Sequence, residues 1–274
     1  MKNSKILKMY APRNFFSDLY YHLMNMSWPK FLSLFLFAFI LLNLLFACAY
    51  YFIDGTTTGD GTFLHSFFFS VHTLSTVGYG NISPNGIVGN LISSIEIFTG
   101  MLSLAVMTGL IFSKFSIPKA KILFSNNILV TDYNGTPHLM LRIANVRSNR
   151  IMNASIGITL MRTETSPEGI SLRKMHNLHL VRSETPFFAL TLTVMHPITS
   201  SSPLYGLSNE ELTRTSMGLM ASFTGLDETI GQTVSTTNFY RQSDIVLNKE
   251  FVDILEDDPK KGTTIRYDKF HNYQ

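Results

Sequence analysis

The sequence predicts an α + β membrane protein in two parts. The first has two transmembrane helices with a short re-entrant helix and loop between them. The second is a β-sandwich of about 150 residues, a size that strands of alternating pattern fill. Three observations carry this expectation. Residues 31–52 and 87–115 are two long apolar runs, and the short helix expected at 62–74 between them is too short to cross. From Lys121 onward the apolar residues recur with period two. The chain of 274 residues is 45% hydrophobic and 15% charged, too apolar for one soluble part and too polar to lie wholly in a bilayer. The expected domains are residues 1–30, 31–117 and 118–274.

Residues 1–27 precede the first run. Lys2, Lys5, Lys8 and Arg13 form a basic arm. Phe15, Phe16, Leu19, Tyr20, Leu23 and Met24 then recur at helical spacing, with Asn14, Asp18, His22 and Asn25 opposite. This is an amphipathic helix that lies in the headgroup plane and ends near Trp28, or one that packs on a partner domain. A cleaved signal peptide is not expected, because the following run is too long and lacks a small-residue cleavage site.

The first span, 31–52, has no charge between Lys30 and Asp54, and its 22 residues suffice for a hydrocarbon core. Asn43 is its one strongly polar side chain and is expected to face another helix. Residues 54–61 are a polar Gly/Thr loop. Residues 62–74 read as a short helix with Asp60 or Thr62 as cap candidates. It runs into Thr76-Val77-Gly78-Tyr79-Gly80. A non-helical loop at that depth is tolerated only where protein or water surrounds it. Gly78 and Gly80 lack a Cβ, so they reach backbone angles that other residues avoid. Successive carbonyls then turn toward one axis and, with the Thr76 hydroxyl, replace the water shell of a monovalent cation. Thr-Val-Gly-Tyr-Gly is the known filter loop of potassium channels. One chain supplies one line of oxygens, so a cage needs several chains.

Between Tyr51 and Ser113 there is no Lys or Arg, whereas Lys30 and the arm precede the first span, Lys114 stands at the end of the second and Lys119 and Lys121 follow it. The positive-inside rule places both termini in the cytoplasm and the filter loop outside. Lys114, Lys119 and Lys121 either hold anionic lipid headgroups or merely anchor the span. Glu96 is the single acidic residue within the second span. Its role is functional, or it is structural: protonated or hydrogen-bonded behind the pore helix. Gly100 allows a close approach or a bend. His65 and His72 are packing and hydrogen-bonding groups rather than metal ligands. Ser116-Ile117-Pro118 ends the helix.

Beyond Lys121, residues 128–133, Asn134-Gly135 and the alternation of Leu139, Leu141 and Ile143 form a hairpin signature. Further strands are expected at 151–162, 177–181, 187–194, 217–224, 229–239, 245–254 and 264–267. Ser208-Asn209-Glu210-Glu211 fits a capping box. His176, His179 and His196 are scattered and do not form a site. Cys48 is alone, so no intrachain disulfide exists, and it reads as a small buried hydrophobe. Nucleotide loops, zinc spacings and nucleophile elbows are missing, so neither an enzyme nor a nucleic-acid partner is expected.

These motifs together resemble the bacterial inward-rectifier potassium channels. Beside the filter, the resemblance rests on Leu141-Arg142-Ile143-Ala144-Asn145-Val146-Arg147, Thr193-Val194-Met195-His196-Pro197-Ile198 and Ser202-Pro203-Leu204-Tyr205-Gly206. Phe223-Thr224-Gly225, Glu228 and Gln232-Thr233-Val234 fit as well. The likeness runs from about Asn14 to His271. It implies a potassium-selective channel in the bacterial inner membrane, built as a homotetramer whose immunoglobulin-like cytoplasmic domains extend the pore. It implies K+ at Thr76, Val77, Gly78 and Tyr79, with Gly80 closing the filter, and no cofactor beyond the permeant ion. Phe112 matches the bulky residue that closes the helix bundle, Leu104 a second constriction, and Gly100 a hinge. Arg13 with the amphipathic helix matches the sliding interfacial helix, and Lys114, Lys119 and Lys121 the lipid-responsive linker that meets anionic phospholipid. Leu247, Asn248 and Lys249 occupy the cytoplasmic constriction loop, where the family often has glycine. Two further departures stand out. Strongly rectifying animal members carry an acid at the site of Leu104, and many potassium channels carry a carboxyl pair where this chain has His72 and Asn81. The rival reading is a two-span anchor for a ligand-reading β-domain.

Overall fold

The structure, a computed structural model, describes residues 18–208, 211–212, 217–258 and 262–274. Arg13, the basic arm, Asn14, Phe15 and Phe16 lie outside the described residues, as do Asn209 and Glu210. The chain divides between Ile117 and Pro118 into two compact units.

The first unit holds four helices. α1 spans Leu19–Asn25, α2 Trp28–Phe52, α3 Phe63–Leu74 and α4 Gly86–Phe115. α2 starts three residues before the expected span, because Ser27 is extended and Pro29 sits in the first turn, where its missing N–H costs nothing. Both long helices exceed the thickness of a hydrocarbon core, at about 1.5 Å per residue. Most of their apolar side chains, such as Leu36, Phe37, Leu45, Ile95 and Phe98, are exposed on a single chain. That leaves them for lipid or for other copies. α4 buries Gly89, Ser93, Glu96 and Gly100, a stripe at spacings of four, three and four. Small residues on this stripe let the backbones touch. A Cβ at Gly89 would meet the Thr56 carbonyl oxygen at 2.2 Å, and one at Gly100 the Leu74 carbonyl oxygen at 2.1 Å.

The second unit is a β-sandwich. β1 (Ile122–Phe124), β2 (Ile128–Tyr133), β3 (Thr136–Asn145), β7 (Thr191–Pro197) and β10 (Ile245–Leu247) form one sheet, with β10 parallel to β2. β4 (Ile151–Thr165), β5 (Ser171–Leu178), β6 (Glu184–Phe188), β8 (Met217–Asp227) and β9 (Gln232–Arg241) form the other. Asn134 and Gly135 both have positive φ, 51° and 74°, as a two-residue hairpin turn between β2 and β3 requires. The core between the sheets includes Ile128, Leu141 and Ile143 from one face and Ile158, Leu160, Leu219 and Phe223 from the other. Tyr240 crosses it and donates to the Ser125 carbonyl at 2.8 Å. A hairpin of β11 (Leu255–Asp258) and β12 (Gly262–Ile265) completes the unit.

Several strand expectations are corrected. Residues 187–194 are not one strand: β6 pairs with β4 and β7 with β3, so the chain changes sheets there. Residues 245–254 stop being a strand at Asn248, whose φ of 54° breaks the extended run. β9 starts at Gln232 rather than 229. The Asp227 carboxylate accepts from the amides of Thr229 and Ile230 and holds them in a turn. β5 runs at Ser171–Leu178, ahead of the expected 177–181. The predicted capping box is present: Ser208 N–H donates to Glu211 at 2.8 Å, and Glu211 N–H to Ser208 Oγ at 3.2 Å.

Candidate ion-conduction site

The short helix α3 is capped as expected. Thr62 Oγ1 accepts from the His65 amide at 3.3 Å. Asp60 Oδ1 in turn accepts from the Thr62 hydroxyl at 2.7 Å and amide at 3.0 Å. Those bonds hold the Asp60 carboxyl below its ordinary range.

At the other end α3 runs into residues 76–80 and ties them back to itself. Thr76 N–H donates to the Thr73 carbonyl at 3.0 Å. Val77 and Gly78 N–H both donate to the His72 carbonyl, at 2.9 and 3.4 Å. The φ angles of Thr76, Gly78 and Gly80 are 58°, 61° and 78°. The left-handed region thus recurs at every second residue. Glycine occupies it without penalty at two of the three, and threonine is strained there. Alternation of this kind turns successive peptide groups the same way. With the amides of Val77 and Gly78 bonded inward, carbonyls are left to the other side. Val77 and Tyr79 are 51% and 72% exposed on one chain. The His72 ring stands edge-on to Tyr79, with centroids 4.7 Å apart.

Behind the loop, a buried polar network joins three helices. The Tyr50 hydroxyl of α2 lies 2.6 Å from Glu96 Oε2 of α4. Ser70 Oγ of α3 is in short contact with Glu96 Oε1 and lies 3.1 Å from Asn43 Oδ1 of α2. Asn43 Nδ2 donates to the Phe39 carbonyl at 2.7 Å. Asn43, Ser70 and Glu96 are wholly buried. The sequence marked Asn43 and Glu96 as polar residues within spans but missed Ser70 and Tyr50. A serine or tyrosine is common enough in an apolar helix that only the fold reveals the match in depth.

Gly100 lies on the α3 side of α4 and admits the Leu74 carbonyl. α4 is continuous from Gly86 to Phe115. Leu104 and Phe112 are 63% and 72% exposed on one chain.

Lys114 is held within the first unit. It is 9% exposed. Its Nζ donates to the carbonyls of Leu23 at 3.2 Å, Met24 at 2.8 Å and Met26 at 2.8 Å, at the C-terminal end of α1. The ammonium also lies over the rings of Trp28 and Phe31. All three ammonium hydrogens are engaged, leaving none for a headgroup. Lys119 and Lys121 are exposed.

In the second unit, Asn248 donates its N–H to the Val130 carbonyl at 2.8 Å, next to half-buried Leu247 and exposed Lys249. Asparagine takes there the left-handed conformation that glycine otherwise supplies. Arg142 is buried and donates to the Val252 carbonyl at 2.8 Å with Phe251 against its guanidinium, which pins residues 251–252 to the sandwich. Among the described residues no His, Cys, Asp or Glu group has metal-site geometry.

Comparison with known proteins agrees along the chain. The family described as "Inward rectifier potassium channel C-terminal domain" matches residues 122–274, and the family described as "Ion channel" matches residues 38–116. The chain is 38% identical over 266 residues to the inward rectifier potassium channel Kirbac3.1 of Paramagnetospirillum magnetotacticum, covering 94% of this chain and 88% of that one. It is 27% identical to the human ATP-sensitive inward rectifier potassium channel 11 over 283 residues, covering 94% and 72%. It is also 27% identical to the bovine G protein-activated inward rectifier potassium channel 4 over 286 residues, covering 94% and 67%. The relatives are ion channels rather than enzymes. With two apolar helices, the filter loop and the β-sandwich in that order, the chain belongs to the inward rectifier potassium channel family.

Proposed function

We propose that four copies of this chain form a potassium-selective pore in the bacterial inner membrane, with both termini in the cytoplasm. The carbonyls of Thr76, Val77, Gly78 and Tyr79 bind dehydrated K+ in single file, with Gly80 at the outer end. Binding is tight enough to strip water and loose enough, over adjacent sites, to release the ion. The observation that carries this reading is the pair of amide bonds from Val77 and Gly78 to the His72 carbonyl. They commit two of the loop's donors to α3, and its carbonyls are the acceptors for a cation.

Gating is assigned to the inner end of α4. Rings of Leu104 and Phe112 close the path by dewetting. Lys119, Lys121 and Arg13 remain as the cationic groups for anionic phospholipid, with Lys114 held in the protein instead. Leu247, Asn248 and Lys249 form the cytoplasmic constriction.

The test is ion flux into liposomes containing the purified protein. Uptake of K+ or Rb+ that greatly exceeds that of Na+, and that responds to anionic lipid, supports the reading. Equal Na+ uptake, or a monomeric protein in the bilayer, refutes it.

A further inference from the structure

The network behind the filter lacks one hydrogen unless Glu96 supplies it. Three oxygen–oxygen contacts link its members: Asn43 Oδ1 to Ser70 Oγ, Ser70 Oγ to Glu96 Oε1, and Glu96 Oε2 to Tyr50 Oη. Each needs a hydrogen between its two oxygens. The hydroxyls of Ser70 and Tyr50 bring one apiece. An ionised carboxylate brings none, so one contact would set two acceptors face to face in a buried site. Turning the Asn43 amide round does not help. Its oxygen would then lie 2.7 Å from the Phe39 carbonyl, itself only an acceptor. A proton on Glu96 Oε1 completes the set. Glu96 donates to Ser70, Ser70 to Asn43, and Tyr50 to Glu96. Among the described residues no Lys or Arg pairs with Glu96, and none occurs between Tyr51 and Ser113.

We propose that Glu96 works as a neutral carboxylic acid and is a positioning residue for the filter. This rests on the reading of residues 76–80 as the conducting loop. Ser70 is two residues before His72, whose carbonyl holds the amides of Val77 and Gly78. Through Ser70, Glu96 fixes the rotation of α3 about its own axis and thereby the place of that carbonyl. The Leu74 carbonyl seated on Gly100, one turn along α4, fixes the same helix a second time. The chain thus braces its filter from the inner helix, where His72 and Asn81 provide no carboxyl pair.

The experiment combines infrared difference spectroscopy with ion selectivity, both on the lipid-reconstituted full channel. In the wild-type minus Glu96→Gln spectrum at neutral pH, a protonated-carboxyl carbonyl band is expected. A difference containing only carboxylate bands overturns the proposal. Glu96→Gln keeps a donor and an acceptor in place and is expected to hold the K+ over Na+ preference within about twofold of wild type, whereas Glu96→Ala and Ser70→Ala, each losing a buried link, reduce it by about tenfold. Rescue by glutamine separates positioning from bulk stability. Loss of selectivity in Glu96→Gln equal to that in Glu96→Ala, or full selectivity in Glu96→Ala, refutes the proposal. Should the alanine variants not assemble, the spectrum and the glutamine variant still decide. A wild type that does not discriminate K+ sinks the filter reading itself, whatever the band shows.

Discussion

Lys114 Nζ lies 2.8 Å from the Met26 carbonyl, and with Leu23 and Met24 that contact ties the end of α4 to the end of α1. A cation at a helix C-terminus meets unpaired carbonyls and the negative end of the dipole. Phe112 is two residues earlier and so about 200° around the same helix. Fixing Lys114 against α1 therefore fixes which way Phe112 points.

Lys114→Met is expected to free α1. The amides of His22 and Met26, which donate to Asp18 and His22, should exchange hydrogen about tenfold faster, the order expected for losing charge-assisted bonds. Response to anionic lipid should persist, because the Lys114 ammonium is bonded to the carbonyls of Leu23, Met24 and Met26. Unchanged exchange would show that the clamp is idle, and lost lipid response would return Lys114 to the membrane surface.

Gly100→Ala is expected to prevent assembly of a stable channel, since the new Cβ would fall 2.1 Å from the Leu74 carbonyl oxygen. Gly109→Ala is the contrast, with nothing within 4 Å of its Cβ on the same chain. Alanine there favours helix by up to about 1 kcal/mol. Thermal stability of the purified protein distinguishes them. A Gly100→Ala channel as stable as wild type would mean that the helices do not touch at this point.

Leu104 offers no charge to a blocking cation. Block by internal spermine is expected to be shallow, and Leu104→Asp to make it steep and voltage-dependent. Currents at matched K+ on both sides test this. Steep block in the wild type, abolished by replacing a cytoplasmic acid, would relocate the cause.

The Glu164 carboxyl is pulled down to about 2 by hydrogen bonds from Arg162, Lys174 and His176. A carboxylate depressed in the folded state adds stability above its unfolded pKa of about 4.3 and loses it as pH falls toward the folded value. Unfolding of the cytoplasmic unit in the intact channel should therefore become easier between about pH 4.3 and 2, and less so in Glu164→Gln. Hydrogen exchange across β4 and β5 reads this directly. Identical acid profiles for the two proteins would contradict it.

The expected cytoplasmic constriction predicts that Lys249→Gln raises single-channel conductance, because a ring of four ammonium groups near the path repels K+. An unchanged current would mean that the side chain points away from the ions.

The legible parts of the sequence were those where a local rule meets no competitor. Two long apolar runs read as spans, Thr62 is a ready cap, and Asn134-Gly135 dictates a hairpin. What escaped depended on residues distant in the chain. Lys114 looked like a membrane-surface lysine because its three acceptors lie about 90 residues away, beyond any spacing rule. Gly100 permitted a close approach, and only the fold shows that the Leu74 carbonyl makes it. Ser70 and Tyr50 gain meaning from Glu96, and the break between β6 and β7 from the different sheets they join. The filter loop stood out because its purpose is written in consecutive residues.

The most direct test is the position of the ion. Crystals or frozen grids of the assembled channel in Tl+ or Rb+, which substitute for K+, should show a column of ion density ringed by the carbonyls of Thr76, Val77, Gly78 and Tyr79 from four chains. An axis empty at those carbonyls, or ions that keep their full water shell beside them, would contradict the account.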